Sequence, residues 1–236
     1  MNEPVVFLPG MMCDARLFEP QLRALSATHP VMVAPITHGQ RIEEIASNLL
    51  TALPQKFALA GLSMGGVVAM EVLRRAPDRV TRIALMDTNC LAETPPVAAD
   101  REPQIIKVKA GKLTDVMRDA LKPSYLAPGP RRPAVLQTMM DMAQTLGPEV
   151  FITQSRALQR RRDQQSTLRK IRQPALVLCG AHDALCPVKR HSFMAELIPH
   201  ARLVVLDDAG HLPTLETPDE TNDALWEWLH QPYVLR

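Results

Sequence analysis

Three side chains in this sequence have the types and settings for acyl transfer: Ser63, Asp183 and His211. Ser63 stands in Gly61-Leu62-Ser63-Met64-Gly65-Gly66, a G-x-S-x-G pattern. A serine hydroxyl is a poor nucleophile until a base takes its proton, and the base needs an acid to fix its tautomer. His211, in Asp208-Ala209-Gly210-His211-Leu212-Pro213, is the candidate base, and Asp183, in Gly180-Ala181-His182-Asp183-Ala184-Leu185-Cys186-Pro187, the candidate acid. Asp87 competes for the acid role. Cys13 and Cys90 are alternative nucleophiles by type, but neither lies in a comparable turn. His182, His191 and Asp183 lack the paired spacing of a zinc site, so no metal and no cofactor are expected.

The elements around these residues must bring them together. Phe57-Ala58-Leu59-Ala60 is an apolar run of the kind that forms a strand buried on both faces. From Met64 to Arg75 apolar residues recur at helical spacing, so Ser63 falls on a strand–turn–helix junction. Glycines at 61 and 65 suit a turn too tight for side chains. Further strands are expected at Val5–Leu8, Val31–Ala34, Ile83–Met86, Ala175–Cys179 and Leu203–Leu206. Helices are expected near Arg16–Ser26, Ile42–Leu53 and Val188–Leu197, and from a Thr217-Pro218-Asp219-Glu220 capping box to about Leu229. That alternation predicts a parallel sheet covered on both faces. Loops following parallel strands open on one edge, so Ser63, Asp87, Asp183 and His211 should converge there.

Residues 91–172 break the alternation, with no convincing strand. Leu113, Val116, Met117, Ala120 and Leu121 make one helical stripe, and Val135, Leu136, Met139, Met140, Ala143 and Leu146 another, halted by Gly147-Pro148. A third helix is expected over Glu149–Arg161. These residues read as a helical insertion between strands. They are also basic: residues 100–172 hold 15 Lys+Arg against 7 Asp+Glu, whereas the rest of the chain is net acidic within an overall charge of +2. Arg131-Arg132 and Arg160-Arg161-Arg162 are the densest runs. Such a face is either merely solvated or a guide for an anionic partner.

At 236 residues, with 46% hydrophobic and 22% charged, the chain has the make-up of one globular α/β domain. No apolar run nears the roughly 18 residues of a membrane span. MNEPVVFLPG has no basic segment leading into a long apolar core, so no signal peptide is expected. Cys13, Cys90, Cys179 and Cys186 show no C-x-x-C pairing and suit reduced thiols in a cytoplasmic protein. No nucleic-acid partner is expected.

GLSMGG, PDRVTRIALMD, PALVLCGAHDALCP and AGHLPTLETP together resemble the α/β-hydrolase superfamily with a helical cap, over essentially the whole length. The resemblance implies a hydrolase core formed by residues 1–90 and 173–236, a sheet of about six strands, and a cap over residues 91–172. It also implies an oxyanion hole built from the backbone N–H of Met64 and of Met11, with Met12 as the fallback donor. Relatives usually carry His-Gly where this chain has Pro9-Gly10. Met12, Tyr125 and Met139 are the candidate substrate contacts, although methionine at helical spacing is more often core. Serine as nucleophile argues against the dehalogenases and epoxide hydrolases of the superfamily, which use Asp. The expected activity is hydrolysis of a carboxylic ester, thioester or lactone, the substrate being small, anionic or carrier-bound. A C–C bond hydrolase, a haloperoxidase-like enzyme and a non-catalytic receptor on the same scaffold are the alternatives.

Overall fold

The computed structural model describes residues 3–233. The first half runs β1 (Val5–Leu8), α1 (Glu19–Leu25), β2 (Val31–Val33), α2 (Ile42–Ala52), β3 (Phe57–Leu62), α3 (Met64–Arg75) and β4 (Val80–Met86). Helices alone follow: α4 (Pro95–Ala99), α5 (Arg101–Lys109), α6 (Leu113–Ala120), α7 (Arg132–Gln159) and α8 (Gln165–Leu168). The alternation then resumes with β5 (Ala175–Gly180), α9 (Val188–Leu197), β6 (Arg202–Leu206), α10 (Pro213–Glu216) and α11 (Pro218–Leu229). The chain has the α/β-hydrolase fold, with six parallel strands ordered β2-β1-β3-β4-β5-β6.

Strand alternation sorts the core into two layers. Val6, Leu8, Leu59, Ile83, Leu85 and Val177 face α2, α3 and α9. Phe7, Ala58, Ala60, Ala84, Met86 and Leu178 face α1 and α11, where Phe18 and Trp228 are fully buried. Both faces being covered is why the central strands are near-continuous apolar runs. Glu71 is a buried charge inside the first layer, held by Arg74, Arg75 and Gln164. Burial alone would raise its carboxyl, but those hydrogen bonds bring it down to about 2.

Several expected elements differ in detail. The first helix begins as a 3-10 turn at Ala15–Phe18, opened by Asp14, whose carboxylate accepts the Arg16 N–H. The two helices expected on either side of Gly147-Pro148 are the two halves of α7, which abut at a kink where Gly147 leaves helical geometry at φ 79°. Pro148 fits there because it begins a fresh turn, where its missing N–H costs little. Thr217 precedes α11 without capping it; it also closes α10, and its hydroxyl donates back to the Pro213 carbonyl. Trp228 is the buried tryptophan of α11 and Trp226 is 43% exposed.

Candidate active site

β3 ends at Leu62 and α3 begins at Met64, so the whole reversal falls on Ser63, at φ 54° and ψ −117°. A non-glycine residue there costs about 1–3 kcal/mol and persists only when its surroundings impose it. Here they do. The Ser63 N–H donates to the Met86 carbonyl at 2.9 Å, and its carbonyl accepts the Thr88 hydroxyl at 2.6 Å. A Cβ at Gly65 would run into the Leu8 carbonyl, and one at Gly61 into the Gly65 carbonyl. The turn is therefore pressed against β1 and β4 while the serine side chain stays partly open to solvent.

The C-terminal ends of β5 and β6 deliver the other two groups. His211 Nε2 lies 3.0 Å from Ser63 Oγ, and His211 Nδ1 lies 2.8 Å from Asp183 Oδ2. Asp183 Oδ1 accepts the N–H groups of Leu185 and Cys186, both at 2.8 Å. Burial alone would raise the Asp183 carboxyl, but its bonds to His211 and Cys186 and the adjoining Asp87 hold it below the usual range. An ionised carboxylate only accepts, so Nδ1 carries the imidazole proton and Nε2 is left to take one from Ser63.

Asp87, the rival acid, is fully buried, and its Oδ1 accepts the Gly180 N–H at 3.0 Å. Burial, reinforced by the charge of Asp183, pushes its carboxyl well above the ordinary range. Among the described residues His211 Nδ1 bonds to Asp183 and not to Asp87.

The loop carrying His211 is tied on both sides. Glu216 Oε2 accepts the N–H groups of Gly210 and Ala127, Oε1 accepts that of Leu212, and the Tyr125 carbonyl accepts the N–H of His211 itself at 2.7 Å. Burial raises the Glu216 carboxyl against those three bonds.

Met64 directly follows the serine, and Met11 follows Gly10, where a Cβ would lie 3.5 Å from that of Ser63. Among the described residues no hydrogen bond takes up either backbone N–H, and Met64 begins α3, whose N-terminus favours negative charge. Met12 is different: its N–H donates to Gln154 Oε1 at 2.9 Å, which removes it as the fallback donor. Its side chain is buried with Val116, Met117 and Phe151, and Met139 packs with Val135 and Met142. Tyr125 is half-buried and meets the site through its carbonyl.

The four cysteines are free thiols. Burial lifts Cys13 and Cys179 to about 12 and Cys90 to about 11, too high for thiolate chemistry at neutral pH. Asp183, Cys186 and His211 offer ligand atoms within 4.8 Å of one another, but Asp183 and His211 are already bonded to each other. His191, buried and lowered to about 4 mainly by desolvation, accepts the Thr88 N–H at Nε2 and so braces the serine turn. The roles of Thr88, His191 and Glu216 escaped the sequence reading, which weighed His191 only as a metal ligand. Only Glu216 had a signal, five residues after His211 in AGHLPTLETP.

The sequence matches the Alpha/beta hydrolase family over residues 5–224. It is 30% identical over 198 residues to a pimeloyl-[acyl-carrier protein] methyl ester esterase of Aromatoleum aromaticum, covering 77% of each chain. Its structure resembles a thermophilic esterase from Thermogutta terrifontis, with TM-score 0.89, 27% identity and coverage of 98% of this chain and 92% of that one. An enol-lactonase from Burkholderia xenovorans gives TM-score 0.86 and 25% identity over the same shares. The chain belongs to the alpha/beta hydrolase family.

Proposed function

We propose that this alpha/beta hydrolase cleaves carboxylic esters through an acyl-enzyme on Ser63, with His211 as base and Asp183 as its acid. As an enzyme it is a serine hydrolase of the ester, thioester and lactone class. The observation that carries the residue assignment is the unbroken relay from Ser63 Oγ through His211 to Asp183. His211 Nε2 takes the hydroxyl proton as Oγ attacks the substrate carbonyl carbon. The resulting oxyanion receives the N–H groups of Met11 and Met64, donors that strengthen as charge develops. His211 then passes its proton to the leaving alcohol, and the ester C–O bond breaks. A water molecule repeats the sequence on the acyl-enzyme, releasing the carboxylic acid and restoring Ser63. Esterase and lactonase relatives, with this relay, favour ester hydrolysis over C–C cleavage, haloperoxidation or a receptor role.

Residues 91–172 act, in this reading, as a cap over a core of residues 1–90 and 173–236. The substrate is an ester whose acyl chain is borne on an acyl-carrier protein, as the name of the Aromatoleum relative describes for that protein, and an acidic carrier suits this chain's basic face. The excess of Lys and Arg over residues 100–172 supports this. No helix among the described residues is long and apolar enough to cross a membrane. The four free thiols favour a cytoplasmic setting.

A fluorophosphonate probe followed by peptide mapping tests the assignment, alongside hydrolysis of p-nitrophenyl butyrate. The label should fall on Ser63, and Ser63→Ala should abolish both labelling and turnover while keeping the melting temperature. Undiminished turnover in that variant would remove the nucleophile assignment.

A further inference from the structure

The loop that follows β1 is anchored less by the sheet than by α7. Met12 lies in the left-handed region at φ 56°, which a side-chain-bearing residue avoids unless something holds it. The holder is Gln154. Its side chain is 0% exposed; its Oε1 accepts the Met12 N–H at 2.9 Å and its Nε2 donates to the Ile36 carbonyl at 3.2 Å. Both ends of the amide are thus committed, one to the loop after β1 and the other to the chain leaving β2. Two residues on, the Asp14 N–H points at Met142 Sδ at 3.4 Å, and the Arg16 guanidinium reaches Thr145 Oγ1 at 2.9 Å. The kink at Gly147 lies between these contacts, so both halves of α7 meet the same short loop.

From this arrangement we infer that Gln154 is a positioning residue for the oxyanion hole: by holding the Met12 N–H it keeps the Met11 N–H turned toward Ser63. The inference rests on the catalytic reading of Ser63 and names what sustains one of its two oxyanion donors. The peptide joining Met11 to Met12 carries the N–H that Gln154 binds, so fixing it fixes the backbone torsion of Met11 and the preceding peptide. Without that acceptor the buried Met12 N–H is unsatisfied, and the loop relaxes toward negative φ to find another partner. The Met11 N–H then swings away from where the oxyanion forms. The superfamily's His-Gly is Pro9-Gly10 here, and Pro9 brings no side-chain donor to brace the loop.

Gln154→Met removes both amide contacts at similar length, and Gln154→Glu keeps an acceptor for Met12. The measurements are kcat and KM on a neutral p-nitrophenyl ester, and the affinity of a trifluoromethyl ketone, whose adduct with serine places an oxyanion in the hole. Loss of an oxyanion donor outright costs about 10²–10³ in kcat, so its displacement in Gln154→Met should cost about tenfold or more. KM should stay within about twofold, and the ketone should weaken in proportion to kcat/KM. Gln154→Glu should recover most of the loss, with melting curves confirming that both variants fold. Wild-type kcat and ketone affinity in Gln154→Met, or a Gln154→Glu as impaired as Gln154→Met, would overturn the inference while Ser63→Ala remained inactive. A Ser63→Ala enzyme with full turnover would instead bring down the catalytic reading beneath it.

Discussion

Glu216 holds His211 in place without touching its ring. Its two carboxylate oxygens accept the N–H groups of Gly210 and Leu212, the residues on either side of the histidine, at 3.0 and 2.8 Å. The oxygen on Gly210 also accepts the Ala127 N–H at 2.7 Å. An amide at this position always turns its NH2 toward at least one of those donors. Glu216→Gln should therefore lose about 1–3 kcal/mol of stability, the cost of a buried unsatisfied group, and lower kcat more than it raises KM. Urea denaturation and steady-state kinetics on the same preparation measure both effects.

Asp183→Asn should reduce kcat by several orders of magnitude, about 10⁴ in the comparable serine-protease substitution, because the imidazole loses the acceptor that fixes its tautomer. Asp87→Asn should stay within about tenfold of wild type, since Asp183 and not Asp87 accepts the hydrogen bond from His211 Nδ1. Kinetics that rank the two variants the other way would move the acid to the end of β4.

The same Asp87→Asn change should make the protein more stable as pH rises. Burial, then the charge of Asp183, raises the folded-state pKa of Asp87 above its unfolded value of about 3.9. The favourable contribution of the neutral acid is complete below that unfolded value and is lost as pH climbs toward the folded one, by about 1.4 kcal/mol per pH unit. Asparagine is neutral throughout. The variant's advantage in melting temperature should be near nil at pH 4 and widen toward pH 8; a constant difference would mean that Asp87 is ionised in the fold.

Salt should separate charged from neutral substrates. Arg161 is a poor probe of the basic face, because its guanidinium is only 14% exposed, lies 3.8 Å from Glu93 and binds the Leu91 carbonyl. Lys107, Lys109, Lys112 and Arg160 are exposed. Reversing these four charges should lower kcat/KM severalfold for an ester on acyl carrier protein and leave a neutral p-nitrophenyl ester unchanged. Raising ionic strength toward 0.5 M should do the same in wild type, because the screening length is already about 10 Å at 0.1 M. Equal salt responses for both substrates would reduce the basic face to a solvated surface.

The strands and the serine turn were legible because their causes are local. Phe57–Leu62 is apolar on both faces, and Gly61 and Gly65 are the residues such a turn admits. The helices α4 and α5 were not foreseen: Pro95 and Pro96 open the first, and the second buries only Ile105 and Val108 while Ile106 is 65% exposed. No single face stripe advertises them. Gln154 and His191 were illegible for another reason. Each is an ordinary helical residue whose partner, Met12 or Thr88, lies more than a hundred positions away in the chain. Asp87 lies near Asp183 at the same sheet edge, and what distinguishes the two is the partner of His211 Nδ1 and the opposite effects of their surroundings on the two carboxyls.

The attachments of α7 bear on how such an enzyme can change its substrate over time. Transplanting residues 95–168 from a relative would carry away the acceptor at 154 and the Met142 sulfur together. A chimera of that kind would inherit a new pocket and lose the supports of its own chemistry in one exchange. Single substitutions elsewhere in α7 leave that support standing, because Gln154 holds a backbone N–H and asks nothing of the side chain at position 12.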